Sequence, residues 1–136
     1  METITKDDIV ILSSSDLCPN IHGAIMSQLY KREGSCSKEG CIISITSLNK
    51  IYEAVIDPDG TINFSINYTY ERFVPRVGLR CIATVTAVYP EGTIADVNSC
   101  VSAILLNKSI NIGSRIEIVL KELSFRDKSF RCVAEC

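Results

Sequence analysis

Tryptophan is absent from this chain, and histidine occurs once, at His22. A lone imidazole on a predicted helix, with no placed partner, is read as structural or solvent-facing rather than catalytic. No run of 18 or more apolar residues occurs, so no membrane-spanning helix and no membrane partner are expected. The start of the chain, Met1 to Val10, carries Glu2, Lys6, Asp7 and Asp8 rather than the basic-then-apolar order of a secretory leader. An intracellular protein is expected. A surplus of positive charge is also missing, since the chain carries a net −2. Strong non-specific nucleic-acid binders usually carry that surplus. Residues 1–77 hold seven basic and ten acidic side chains, residues 78–136 seven and six, for nets of −3 and +1. The imbalance is small, but it puts any nucleic-acid face in the second part.

Enzyme motifs are lacking too. There is no G-x-S-x-G, no phosphate-loop sequence and no G-x-G-x-x-G. Asp57 and Asp59 are paired carboxylates, but they lie in a turn sequence, and a hard cation needs more oxygen ligands than these two. No catalytic residue is expected. Cysteine, in contrast, is plentiful: Cys18, Cys36, Cys41, Cys81, Cys100, Cys132 and Cys136. Without a secretory leader they read as reduced thiols, mostly buried as small hydrophobes. Zinc sites favour pairs such as C-x2-C. The nearest spacings here are Cys36-x4-Cys41 and Cys132-x3-Cys136, so neither a metal site nor a cofactor is expected. No cysteine has an activating base close in sequence, which argues against thiol catalysis.

What is present is periodicity. Asp8 to Leu12 is a short apolar run that breaks at Ser13-Ser14-Ser15, as a strand entering a loop does. Asn20 is placed to cap a helix over about residues 20–33. Ile21, Ile25 and Leu29, with Ala24 beside them, form one apolar stripe. Lys31 and Arg32 suit the last turn of that helix, and Gly34 suits its end. The period then changes to two at Cys41, Ile43 and Ile45. A further strand is expected over Tyr52 to Ile56, closed by the turn Asp57-Pro58-Asp59-Gly60. Beyond the turn, Ile62, Phe64, Ile66, Tyr68 and Tyr70 share one face, and Asn63, Ser65, Asn67, Thr69 and Glu71 share the other. That alternation defines a half-buried antiparallel strand. The aromatic stripe could stack bases in an RNA-binding sheet. Packing against the helix stripe is the preferred reading, because the helix must bury its apolar face.

Phe73-Val74-Pro75-Arg76-Val77-Gly78 punctuates the chain, and a domain boundary is placed at residue 77. Five strands follow: Leu79 to Tyr89, Thr93 to Val97, Val101 to Leu105, Arg115 to Leu123, and Ser129 to Ala134. Pro90-Glu91-Gly92 and Arg126-Asp127-Lys128 are the clearest turns. Five short strands suit a Greek-key barrel of the OB type, although an SH3-like barrel fits the same count. Interleaved aromatic and basic residues in this part, Tyr89, Arg115, Lys121, Phe125, Arg126 and Lys128, are the candidate RNA contacts.

In order and spacing, these blocks resemble the stalk subunit of multisubunit DNA-directed RNA polymerases, the seventh subunit of eukaryotic polymerase II and its archaeal counterpart. The matching residues are Glu33-Gly34-Ser35-Cys36, Gly40, Asp57-Pro58-Asp59-Gly60, Phe64-x-Ile66-x-Tyr68 and Phe73-x-Pro75-x-x-Gly78. The resemblance covers nearly the whole chain. It implies an α+β, mostly β protein: a truncated RNP-like domain over residues 1–77 that docks at the polymerase clamp base, then an S1-type OB barrel over 78–136 near the RNA exit path. It makes Gly34, Gly40, Pro58, Gly60, Phe64, Tyr68, Phe73, Pro75 and Gly78 structural motif residues. The implied partners are the core polymerase subunits, a small helical stalk subunit and nascent single-stranded RNA. The implied setting is the nucleus for a cellular eukaryotic protein, or the cytoplasmic factory or virion for a compact version from a large DNA virus. Thr93-Ile94 stands after Gly92 where RNA-binding S1 barrels often carry an aromatic, so RNA contact is expected to be weak. A free-standing S1/OB protein that binds single-stranded RNA is the alternative.

Overall fold

A computed structural model describes residues 1–16, 19–98 and 100–136. Nine strands and one α-helix are formed among them: β1 (Glu2–Ser13), α1 (Ile21–Tyr30), β2 (Cys36–Ser37), β3 (Gly40–Ile56), β4 (Thr61–Phe73), β5 (Arg80–Tyr89), β6 (Gly92–Asp96), β7 (Ser102–Leu106), β8 (Arg115–Arg126) and β9 (Ser129–Glu135). A short 3-10 turn, Ser14–Asp16, follows β1. The chain divides into two units, one of residues 1–33 with 42–73 and one of residues 34–41 with 74–136.

The first unit is a sheet with a helix on one face. Its strands β1, β4 and β3 are neighbours, and β1 runs antiparallel to β4 from Glu2↔Arg72 to Ser13↔Thr61. Successive side chains of a strand point to opposite faces, so this register fixes which residues meet. Val10, Leu12, Phe64, Ile66, Tyr68 and Tyr70 turn inward and pack with Ala24, Ile25 and Leu29 of α1 and with Ile45 of β3. The aromatic stripe is therefore core: Tyr68 is fully buried, and its ring stacks on Tyr70 at 5.5 Å. Asn20 caps α1 as the sequence suggests, its side-chain oxygen accepting the Gly23 amide at 3.0 Å.

Three expectations need correction. The helix ends at Tyr30, three residues before Glu33, because the Arg32 and Glu33 side chains are drawn to β1 and β3 instead. Ile21 lies on the exposed side of α1, so the buried stripe is Ala24, Ile25 and Leu29. The two strands expected around Cys41 and Tyr52 are one continuous β3, whose second half is exposed and loses the alternation that marks a half-buried strand. The turn after it forms as expected: the Gly60 amide donates to the Asp57 carbonyl at 3.0 Å, and Gly60 sits at φ +88°, which favours glycine.

In the second unit, β5, β6, β7, β9 and β8 close into a barrel. The pairs β5–β6, β6–β7 and β8–β9 are antiparallel, but β7 and β9, its third and fifth strands, pair parallel, and β5 closes antiparallel onto β8. A simple up-and-down barrel has no parallel pair, so this is an OB-like Greek-key closure. The five strands fall close to the expected positions. The interior is lined mostly by small or aliphatic side chains, including Ala83, Val85, Ala95, Ala103, Leu105, Ile118, Leu120 and Ala134. Thr93 is fully buried there, its hydroxyl donating to the Lys108 carbonyl at 2.7 Å. Gly92 has a steric reason to be glycine, since a Cβ would collide with the Leu105 carbonyl. The hairpin of β2 and the start of β3 groups with this unit, with Cys36 opposite Cys41. Those two cysteines are disulfide-bonded, which corrects the expectation of reduced thiols throughout. Cys18 lies outside the described residues.

Candidate functional site

OB barrels bind oligonucleotides across their second and third strands, between the turn joining strands one and two and the turn joining strands four and five. In this barrel those strands are β6 and β7. Alternation puts Thr93 and Ala95 inside, so Ile94 faces out. On β7 the outward residues are Ser102, Ile104 and Leu106. The register sets Ile94 beside Ile104, and the parallel pairing sets Val133 on the other side of Ile104. At the polar end, the Ser102 hydroxyl donates to Asp96 at 2.6 Å. The face is thus aliphatic, with Ile104 and Leu106 43% and 55% exposed and no aromatic ring among these outward residues. Aliphatic side chains exclude water from a partner surface, but they do not offer the flat π-face on which a base stacks.

The expected RNA contacts flank this face without forming one patch. Tyr89 ends β5 and is half exposed; with Val88, Pro90, Asn107, Lys108 and Ser109 it lines an open cavity of about 550 Å³. Phe125, Arg126 and Lys128 lie at the β8–β9 turn, the other flanking loop. Phe125 pairs with Phe130, ring centroids 4.9 Å apart, so part of its surface is committed to the fold. The turn is tight, with Asp127 and Lys128 both at positive φ (53° and 60°). Arg115 begins β8, opposite Thr84, while Arg126 ends it; along the strand they are roughly 35 Å apart at about 3.3 Å per residue. Lys121 is the extra residue at a bulge between Leu120 and Glu122 and lies 3.9 Å from the Glu135 carboxylate. A single short oligonucleotide could meet Tyr89 and Lys108, or Arg126 and Lys128, more readily than all six. Ile94, Ile104 and Leu106 were missed because the apolar run Val101 to Leu105 shows no alternation to assign its faces. Lys108 was missed because it lies in a loop.

The first unit has its own polar surface. On the outer face of the sheet, Tyr52 and Asn67 both donate to Asp7, at 2.9 and 2.8 Å, and Asn49 donates to Asn67 and Thr69. The hydrogen bonds from Asn67 and then Tyr52 hold the Asp7 carboxyl below its ordinary value. Further along, Ile9 and Ile11 stand exposed on the same face. At the edge of the core, Arg32 donates to Asp8 (2.9 Å), to the Tyr68 hydroxyl (3.2 Å) and to the Ile9 carbonyl (3.0 Å). Burial pushes the Asp8 carboxyl up, but the Ile9 amide and the Arg32 and Lys6 charges outweigh it and hold the group below its ordinary value. This network ties the chain beyond the helix to β1. It has the character of a structural clamp, with each member engaged by another.

His22 is exposed on α1. Burial, with the neighbouring Cys81 thiol, pushes Cys132 up to about 11, which leaves it a poor nucleophile. No helix among the described residues is long and apolar enough to cross a membrane. Fold and surface together define a class: a two-unit, mostly β protein whose second unit is an OB-like barrel with an exposed aliphatic face on β6 and β7. No protein-family model matches the chain, and no curated protein sequence does.

Proposed function

We propose that this chain is a non-catalytic stalk subunit of a DNA-directed RNA polymerase, acting through binding in transcription initiation and in handling nascent RNA. The observation that carries this reading is the order of the parts. A strand, a helix and a pair of long strands make a sheet with one helix-covered face, and an OB-like barrel follows. That order parallels the truncated RNP-like domain and S1-type barrel of the stalk family. The first unit docks at the clamp base and also meets a small helical partner subunit. The barrel lies near the exit path, where its aliphatic β6–β7 face suits protein contact better than base stacking.

Affinity capture of the tagged chain from the cells or virions that make it, followed by mass spectrometry, tests this directly. The two largest polymerase subunits are expected in stoichiometric amounts, and their repeated absence would sink the proposal. The second reading, a free-standing RNA-binding protein, draws on Tyr89 and Lys128 at the two flanking loops. It requires salt-sensitive binding of single-stranded RNA by the isolated chain, weakened by about 1–3 kcal/mol in Tyr89→Ala. Under the stalk reading isolated binding is weak, because affinity accrues from the whole assembly.

A further inference from the structure

The β2–β3 hairpin sets Cys36 opposite Cys41, and the loop between β6 and β7 brings in Cys100. The sulfur atoms of these three residues all lie within 4.8 Å of one another. All three belong to the barrel unit, although 58 residues separate Cys41 from Cys100 in sequence. Hydrogen bonds among the neighbouring described residues hold Cys100 in place. The Asn98 side chain accepts the Cys100 amide at 2.8 Å and the Val101 amide at 3.0 Å, and the Val97 amide donates to the Val101 carbonyl at 2.9 Å. Cys41 is fully buried, and Cys36 and Cys100 are partly so.

A disulfide joins two of these sulfurs, and the third lies within bonding range of a shared cation with both. We propose that, once the Cys36–Cys41 bond is reduced, these three side chains form a thiolate site for a soft divalent cation of the zinc class. Tetrahedral zinc–thiolate bonds of about 2.3 Å place the sulfurs roughly 3.8 Å apart, so the trio needs little rearrangement beyond opening the disulfide. Three thiols this close resist ionising together, because each thiolate raises the cost of the next. A bound cation removes that cost and releases one proton per ligated thiol. The disulfide opens by exchange with two equivalents of a low-molecular-weight thiol such as glutathione. Two cysteine thiols form, and the reductant leaves as its own disulfide. Three protein ligands leave the fourth position to water or an external donor. The site would pin the β6–β7 loop to the β2–β3 hairpin, and it stands independently of the stalk reading.

The test is titration of the reduced, full-length chain with Co²⁺, as a spectroscopic stand-in for Zn²⁺, under anaerobic conditions. One equivalent should produce a thiolate-to-cobalt charge-transfer band that Zn²⁺ bleaches. The band should vanish in Cys100→Ser and persist in Cys81→Ser and Cys136→Ser. No band in the reduced wild type would overturn the proposal, as would one that survives Cys100→Ser. Because a serine variant could misfold, thiol alkylation of the wild-type chain supplies a second readout. Zn²⁺ should protect Cys36, Cys41 and Cys100 together, and alkylation of Cys100 that is indifferent to Zn²⁺ would equally refute the site.

Discussion

The two units solve the same packing problem in opposite ways. The first covers one face of a sheet with a helix and fills the gap with large side chains: Phe64, Tyr68, Tyr70, Ile25 and Leu29. The second folds a sheet onto itself, and its interior carries Ala83, Ala95, Ala103 and Ala134 among a few aliphatics. A five-stranded barrel leaves a narrow lumen, whereas the gap between a helix and a sheet has room for large side chains. The lesson bears on function. Aromatic residues that look like a stacking platform in the first unit are its filling, and the barrel turns aliphatics toward solvent on its β6–β7 face.

The largest test of that contrast is Phe64→Ala. If the first unit depends on large side chains, truncation should cost about 3–5 kcal/mol in denaturant unfolding, with no selective loss of RNA binding. A small loss of stability with a large loss of RNA affinity would return Phe64 to the binding surface. The barrel should respond instead to added volume. Gly92→Ala presses a methyl group on the Leu105 carbonyl, which paired strands hold in place, and should cost about 1–3 kcal/mol. Gly60→Val, at positive φ in the β3–β4 turn, should cost about 1–2 kcal/mol; an unchanged melting temperature would mean the turn is formed differently. The smallest effect is expected at Asp8. Its folded pKa lies below its unfolded one, so its contribution is complete above about pH 5 and is lost as pH falls through the folded value. Solvent screening limits that contribution to roughly 1 kcal/mol or less. Asp8→Asn should therefore destabilise at neutral pH and make little difference near pH 2, measured by chemical denaturation at the two values.

Much of the strand pattern was readable in advance. The strict alternation from Ile62 to Tyr70 marked the core face of β4, and Asn20 marked the helix start. The turn at Asp57 to Gly60 and the five barrel strands were also visible, because turn residues and period-two runs are local signals. Other features left no local trace. The exposed second half of β3 carries no alternation, so its continuity with the first half was invisible. The early end of α1 depends on Arg32 and Glu33 finding partners on β1 and β3, which helix periodicity cannot report. Of the candidate contacts, Tyr89 and Lys128 fell on the flanking loops of the barrel, while the Ile94–Ile104 pair required the register.

By itself, then, the sequence determined where strands and turns lie and which residues of β4 face inward. It did so because backbone geometry ties side-chain direction to positions a few residues apart. Tertiary structure decided the rest. The same five strands were compatible with OB-like or SH3-like closure until β7 paired parallel with β9. Cys36-x4-Cys41 read as an unpromising pair until a loop brought Cys100 to it. Closure, register and the meeting of distant sulfurs depend on long-range pairing, whose partners are chosen by the packing of the whole chain.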